Sequence, residues 1–342
     1  MTTSTTLPAA GAAAALPKVR LDWTPLALAP LLMLLAFPLI GSPSTWLTLT
    51  IAGVAMGMII FVVSSGLTLV FGLMDVLNFG HGAFIALGAY VAASVLLPLA
   101  GWVEADSLAL NLSVFALAIA AAMVAAGAVG LFFERVVVRP VYGQHLKQIL
   151  ITMGGMIVAE QLIKAIWGPE TIALQVPTTF RGAVLLGDAA IEKYRLIAMA
   201  LGLVIFIAML LLLNRTRIGL LIRAGVENRE MVEALGYRVR RLFIGVFVAG
   251  AALAGLGGVL WGLYQQNITA AIGAQVNVLI FIVIIIGGLG STTGCFVGAL
   301  LVGLMANYTG FLFPKVALFS NILLMMLILL WRPQGLFPVA RR

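Results

Sequence analysis

Charge is what this chain has least of. Only 9% of its 342 residues are Asp, Glu, Lys or Arg, while 63% are hydrophobic and the mean hydropathy is +1.16. Soluble domains carry about 25% charged residues, so a water-soluble globular fold is excluded. Cysteine is scarcer still: the single Cys295 lies in an apolar Gly-rich run and rules out an intrachain disulfide framework. One cysteine and two histidines, His81 and His145, do not make a clustered metal site of ordinary spacing. None of Lys18, Lys147, Lys164, Lys193 or Lys315 precedes Ser or Thr, so the chain has no G-x-x-x-x-G-K-[ST] phosphate loop. It has no G-x-S-x-G nucleophile elbow either. An enzyme is not expected, nor is a cofactor or metal on this chain.

Long apolar runs fill the space that charge leaves. Stretches of membrane-crossing length recur at 25–40, 46–71, 82–100, 109–132, 146–167, 196–213, 241–262, 276–290, 294–313 and 316–331. The expected fold is an all-α polytopic membrane protein of eight to ten transmembrane helices, with a broken or re-entrant segment and a cytoplasmic coupling helix. The 276–290 run is the weakest, because fifteen residues at 1.5 Å each reach only about 22 Å. It is expected to be tilted, re-entrant or extended into 268–275.

The basic balance, +8 overall, follows topology. Lys18, Arg20, Arg135, Arg139, Arg215, Arg217, Arg223, Arg229, Arg238, Arg240, Arg241, Arg332, Arg341 and Arg342 all fall on one side if the spans alternate. The positive-inside rule makes that side cytoplasmic and puts both termini there, with no role for nucleic acid. The expected layout is a disordered cytoplasmic segment over 1–24, a membrane domain over 25–335 with a cytoplasmic loop at 214–241, and a cytoplasmic tail over 336–342. The run after Lys18 and Arg20 lacks a small-residue cleavage site, which argues against a removed signal.

One interruption carries the most information. In GLTLVFGLMDVLNFGHGAFIALGAY (66–90), the apolar pattern breaks at Asp75, Asn78 and His81, set among Gly72, Gly80 and Gly82. Hydrocarbon tolerates unwound backbone and ionisable groups only where protein or water surrounds them, so this break can line a path for a polar solute. The competing reading is a tight cytoplasmic turn in which Asn78 caps the next helix. Glu160 and Lys164 form an i,i+4 pair inside the 146–167 span; such a pair either guides a zwitterion or holds helices together. Gln265, Gln266, Asn267 and Asn277 read as edge or loop polar groups. A faint echo between 71–90 and 286–303 raises an internal duplication.

In the 214–241 loop, VENREMVEALGY reads as a short amphipathic helix with Asn228 as cap and Gly236 as stop. Met231 and Leu235 share one face. A short helix held between two spans suits docking of a cytoplasmic partner.

These segments together resemble the permease subunits of branched-chain amino-acid ABC importers of the LivH type. The likeness is carried by GLTLVFGLMDVLNFGHGAF (66–84), RAGVENREMVEALGYRVRRLFIGVFVAGAALAGLGGVL (223–260), IIIGGLGSTTGCFVGALLVG (284–303) and LLWRPQGLF (329–337). The resemblance runs from about residue 46 onward and does not cover the extra span before it. It implies an importer in the bacterial inner membrane, with two related permease chains, two cytoplasmic ATPases that bind ATP, and an extracytoplasmic binding protein. Asn78, Gly80, His81, Gly82, Asp75 and Glu160 would then line or guide the substrate path. The coupling residues would be Arg229, Glu230, Glu233, Ala234, Leu235 and Gly236, although here Gly236 follows the acid-Ala pair sooner than in the family's longer pattern. Urea and amide permeases look similar through the same motifs, so a small neutral amide competes with Leu, Ile or Val as solute. A secondary transporter coupled to ions through Glu160 or Asp75 is a further alternative.

Overall fold

A computed structural model describes residues 24–227 and 229–338. The chain starts with α1 (Thr24–Ile40), the 32-residue α2 (Pro43–Met74), the 16-residue α3 (His81–Leu96) and a short α4 (Ala100–Glu104). Next come α5 (Leu108–Phe133), which continues through a π-turn and a 3₁₀ turn to Val141, and α6 (His145–Trp167). A loop with three short strands, β1 (Ile172–Ala173), β2 (Ala183–Leu186) and β3 (Ala189–Glu192), leads into α7 (Lys193–Arg215). The polar stretch holds α8 (Arg217–Glu227) and α9 (Arg229–Ala234), so most of what reads as loop is helical. The chain closes with α10 (Val239–Gln265), β4 (Asn267–Ile268), α11 (Ile272–Gly287), α12 (Thr292–Leu312) and α13 (Ala317–Trp331).

Among the described residues, six helices (α2, α5 with its extension, α6, α7, α10 and α12) are long and apolar enough to cross a bilayer, and four shorter apolar helices accompany them. The chain is an all-α multi-pass membrane protein. The core is built on α2 and α10, which cross in opposite directions with Gly66 against Gly250 and Val63 against Gly257. Phe61, Val62, Val63 and Leu67 on α2, with Ala254, Val259 and Leu260 on α10, are essentially fully buried. By contrast α6 and α7 expose Leu150, Ile157, Leu162, Val204 and Leu211. Such faces suit lipid or a second membrane chain, because hydrocarbon removes the cost of exposing them.

One device occurs twice. Helix α2 ends in Asp75 with φ 53°, and α10 ends in Gln266 with φ 57°; these are the positive-φ non-glycine residues among those described. A six-residue break follows each, over 75–80 and 266–271, and then a 16-residue half-helix, α3 or α11. This recurring device spans 43–96 and 239–287, a different pairing from the glycine echo between 71–90 and 286–303. Those glycines have a different cause: Gly72 meets Gly290, and Gly287 meets Gly294, as packing contacts between neighbouring segments.

Candidate functional site

The depth of the first break decides between turn and path lining. Asp75, at the end of α2, lies with Oδ2 3.9 Å from Nε2 of His145, the first residue of α6. From there the chain climbs back into the bundle. The Phe79 N–H donates to Oγ1 of Thr152, two turns into α6, at 3.1 Å. His81 Nε2 donates to the Val63 carbonyl at 3.1 Å. Val63 stands eleven residues before the end of α2, about 16 Å at 1.5 Å per residue and so about half of a 30 Å hydrocarbon core. The break is therefore re-entrant, and α3 starts in the middle of the membrane domain.

The second break descends from the opposite end. Strand β4 pairs antiparallel with β1, Ile172 opposite Ile268, and Leu174 N–H donates to the Gln266 carbonyl at 2.8 Å. This clamp leaves Ile268 fully buried and delivers α11 into the bundle with its N-terminus toward that of α3. The two half-helices overlap there and run in opposite directions. A Cβ on either Gly82 or Gly273 would run into the other's carbonyl group, so glycine is required at both for this approach. One turn on, Asn277 Nδ2 donates to the Phe79 carbonyl at 2.9 Å, and the Phe79 and Phe281 rings stack at 4.3 Å.

Two amides at this meeting point keep polar atoms unpaired. Asn78, 1% exposed, spends Oδ1 on the Gly80 N–H at 3.0 Å while Nδ2 has no partner; Asn277, 7% exposed, leaves Oδ1 without one. A buried polar group without a partner costs about 1–3 kcal/mol, so an unpaired donor and an unpaired acceptor in this region suit a solute that carries both. Both half-helix N-termini lie in this region, and each dipole end favours a negative group near it.

Of the expected path residues, the structure brings together Asn78, Gly80, His81 and Gly82. Asp75 stands apart, half-exposed beside His145 at the edge. Glu160 is paired with Lys164 at 2.7 Å on the flank of α6, two turns beyond Thr152. Asn277, expected at an edge or loop, lies instead inside α11 at the centre. Sequence reading passes over Phe79, Gly273 and Phe281, because their signal is the distant contact of two breaks. The available clue is polar QQNITAAIGAQVN after an apolar helix, matching DVLNFGHGAF in position within the device.

A second site lies at the end of the bundle away from the β-strands. Helix α9 is anchored by Val232, 4% exposed, while Met231 and Leu235 stand out at 58% and 71% exposed. Gly236, with φ 86°, closes it: its N–H donates to the Glu233 carbonyl at 3.0 Å and that of Tyr237 to the Val232 carbonyl at 3.3 Å. Glu233, Ala234 and Leu235 are all exposed. Asn228 and the side chains of Arg229 and Glu230 lie outside the described residues.

An apolar bundle with a doubled, inverted break at its centre and a short helix set out from one end has the build of a membrane transport subunit. Residues 49–331 match the family described as "Branched-chain amino acid transport system / permease component". The chain is 28% identical over 293 residues to the high-affinity branched-chain amino acid transport system permease protein BraD of Pseudomonas aeruginosa, covering 83% of this chain and 93% of that one. It is 30% identical over 300 residues to LivH of Escherichia coli K12, covering 83% and 92%. A stretch of 157 residues, 40% of this chain and 45% of the relative, is 32% identical to a probable LivM permease of Methanocaldococcus jannaschii. No solved structure matches significantly. The chain belongs to the permease family of branched-chain amino-acid transport systems.

Proposed function

We propose that this chain forms, with a second related permease chain, the membrane path of an ATP-driven importer for branched-chain or other small neutral amino acids. The observation that carries the reading is the meeting of the α3 and α11 N-termini, with Asn78 Nδ2 and Asn277 Oδ1 buried there without hydrogen-bond partners. A zwitterion needs a donor and an acceptor in apolar surroundings, and an aliphatic side chain needs a wall such as the Phe79–Phe281 stack. Unwound backbone at this depth is tolerated only when protein or water covers it. Phe79 and Phe281 are half-buried and Val278 is 58% exposed, which supports a second chain closing the path over this face.

The energy comes from partners. Met231 and Leu235, exposed on a helix pinned by Val232, suit the apolar cleft of a cytoplasmic ATPase, as do Glu233, Ala234 and Gly236 around them. Arg229 and Glu230 are assigned to the same contact from the sequence. ATP binding on those partners would shift the chain between inward- and outward-facing states. A binding protein outside would deliver the solute, and both termini would face the cytoplasm of a bacterial inner membrane.

The test is mild-detergent purification of the tagged chain, followed by reconstitution of whatever copurifies. Two ATPase chains and a second permease, with ATP-dependent uptake of Leu, Ile or Val once the binding protein is added, are expected. Uptake by this chain alone, driven by an ion gradient, would overturn the proposal. Uptake restricted to urea would overturn the substrate assignment.

A further inference from the structure

We infer that the arginine-lined cavity at the α9 end of the bundle is a site for the headgroup of an anionic phospholipid. The cavity, about 590 Å³, is lined by Arg135 at the end of α5, by Arg238, Arg240 and Arg241 at the start of α10, and by Glu233 and Tyr237. A neighbouring cavity of about 270 Å³ is lined by Glu134, Arg139, Tyr142, Arg240 and Phe243, so Arg240 borders both. The ion pairs among the described residues are Asp75–His145, Glu160–Lys164 and Glu192–Arg195, and none of them engages these arginines. Glu134 lines the smaller cavity without forming an ion pair with Arg139 or Arg240. It is 1% exposed, its Oε1 accepts from Tyr142 Oη at 2.8 Å, and its Oε2 has no partner. Four guanidiniums border the larger cavity against the single carboxylate of Glu233, which leaves positive charge in excess there, and their planar forks match phosphate oxygens.

What distinguishes a lipid from an acidic protein surface is the membrane side of the cavity. Ile244 and Phe243 close the two cavities toward the bundle. On α5, Phe132 (61% exposed) and Val129 (42% exposed) lie one and two turns before Arg135, and on α10 exposed Gly245 and Ala249 lie one and two turns after Arg241. Exposed apolar residues therefore follow the arginines toward the hydrocarbon region on both helices. An acyl chain can lie along these apolar positions while its phosphate meets the arginines. Basic pockets between membrane helices at headgroup level are known to take phosphate lipids.

Native mass spectrometry of the full chain in mild detergent tests this with three probes: phosphatidylglycerol, phosphatidylethanolamine and inorganic phosphate. Phosphatidylglycerol should stay bound through delipidation, phosphatidylethanolamine should not, and millimolar phosphate should not displace it. The triple change Arg135→Gln, Arg240→Gln and Arg241→Gln should weaken retention at least tenfold, whereas Lys147→Gln, outside both cavities, should leave it unchanged. If the triple variant does not fold, Arg240→Gln alone should weaken retention about threefold and Arg240→Lys should restore it. Equal retention in the arginine variants, equal retention of phosphatidylethanolamine, or full displacement by phosphate overturns the inference. Arginine variants that keep the lipid but lose a copurifying ATPase would make the cavity a protein contact, again against the inference.

Discussion

Replacing Gly273 by alanine puts a methyl group into the backbone of Gly82. The built Cβ overlaps the Gly82 carbonyl and approaches the Ala86 Cβ to 3.3 Å. Neither neighbour is the end of a flexible side chain, so the half-helices must part. Overpacking against backbone costs about 1–3 kcal/mol, or about 5- to 150-fold in a folding equilibrium. Parting them would also stretch the 2.9 Å bond from Asn277 to the Phe79 carbonyl and the 4.3 Å ring stack, both fixed by the same approach. Thermal unfolding of the purified chain reads the first effect and reconstituted uptake the second. Gly310→Ala, whose Cβ would meet nothing, supplies the comparison. Because Gly82→Ala forces the same separation of the two half-helices, the double variant should cost clearly less than the two single changes added together. A Gly273→Ala protein as stable and as active as Gly310→Ala, or strictly additive costs, would refute the close approach of the two N-termini.

Three further outcomes are expected. Asn277→Leu removes one interhelical hydrogen bond in a membrane interior, worth about 0.6–1.7 kcal/mol, so uptake should fall about 3- to 20-fold; unchanged uptake would remove Asn277 from the path. Gly236→Ala places a side chain at φ 86°, a left-handed conformation that costs about 1–2 kcal/mol. ATP-dependent uptake should drop while the amount of protein in the membrane holds, and normal uptake would contradict coupling through α9. Leu235→Asp changes a side chain that is 71% exposed, so stability should move by no more than about 0.5 kcal/mol. A pull-down should nevertheless recover less ATPase, and undiminished recovery would place the docking surface elsewhere.

Much of the fold is legible in the sequence because hydrocarbon imposes one strong rule: apolar runs of sufficient length become helices. All ten runs correspond to apolar helices, with α2 reaching three residues beyond the expected 71 and α11 starting at 272 instead of 276. The second difference is instructive. Gly273 and Gln275 look like the end of a polar loop, yet they form the first turn of a half-helix whose place is set by Gly82, far away in sequence. The same long-range cause hides Phe79 and Phe281, and it explains why Asn277 reads as an edge residue when it sits at the centre. Two-residue strands such as β1 and β4 leave no local pattern at all; their pairing is a consequence of where the second break must be held. Helix α9 is the opposite case. Met231, Leu235 and Gly236 declare it locally, through periodicity and a stop, and the structure adds only which face is anchored.

Alternating exposure of the Phe79–Phe281 face tests the transport path most directly. The measurement is labelling of a Phe79→Cys variant, in a Cys295→Ser background, by a membrane-impermeant thiol reagent applied to each side of a reconstituted assembly. Cys295 itself is buried, so its removal clears the background without opening the site. Labelling from the cytoplasmic side without nucleotide, lost or transferred to the other side when ATP is trapped on the partners, is the expected result. Cysteine that stays unlabelled from both sides in every nucleotide state would contradict a path through the meeting of the two half-helices.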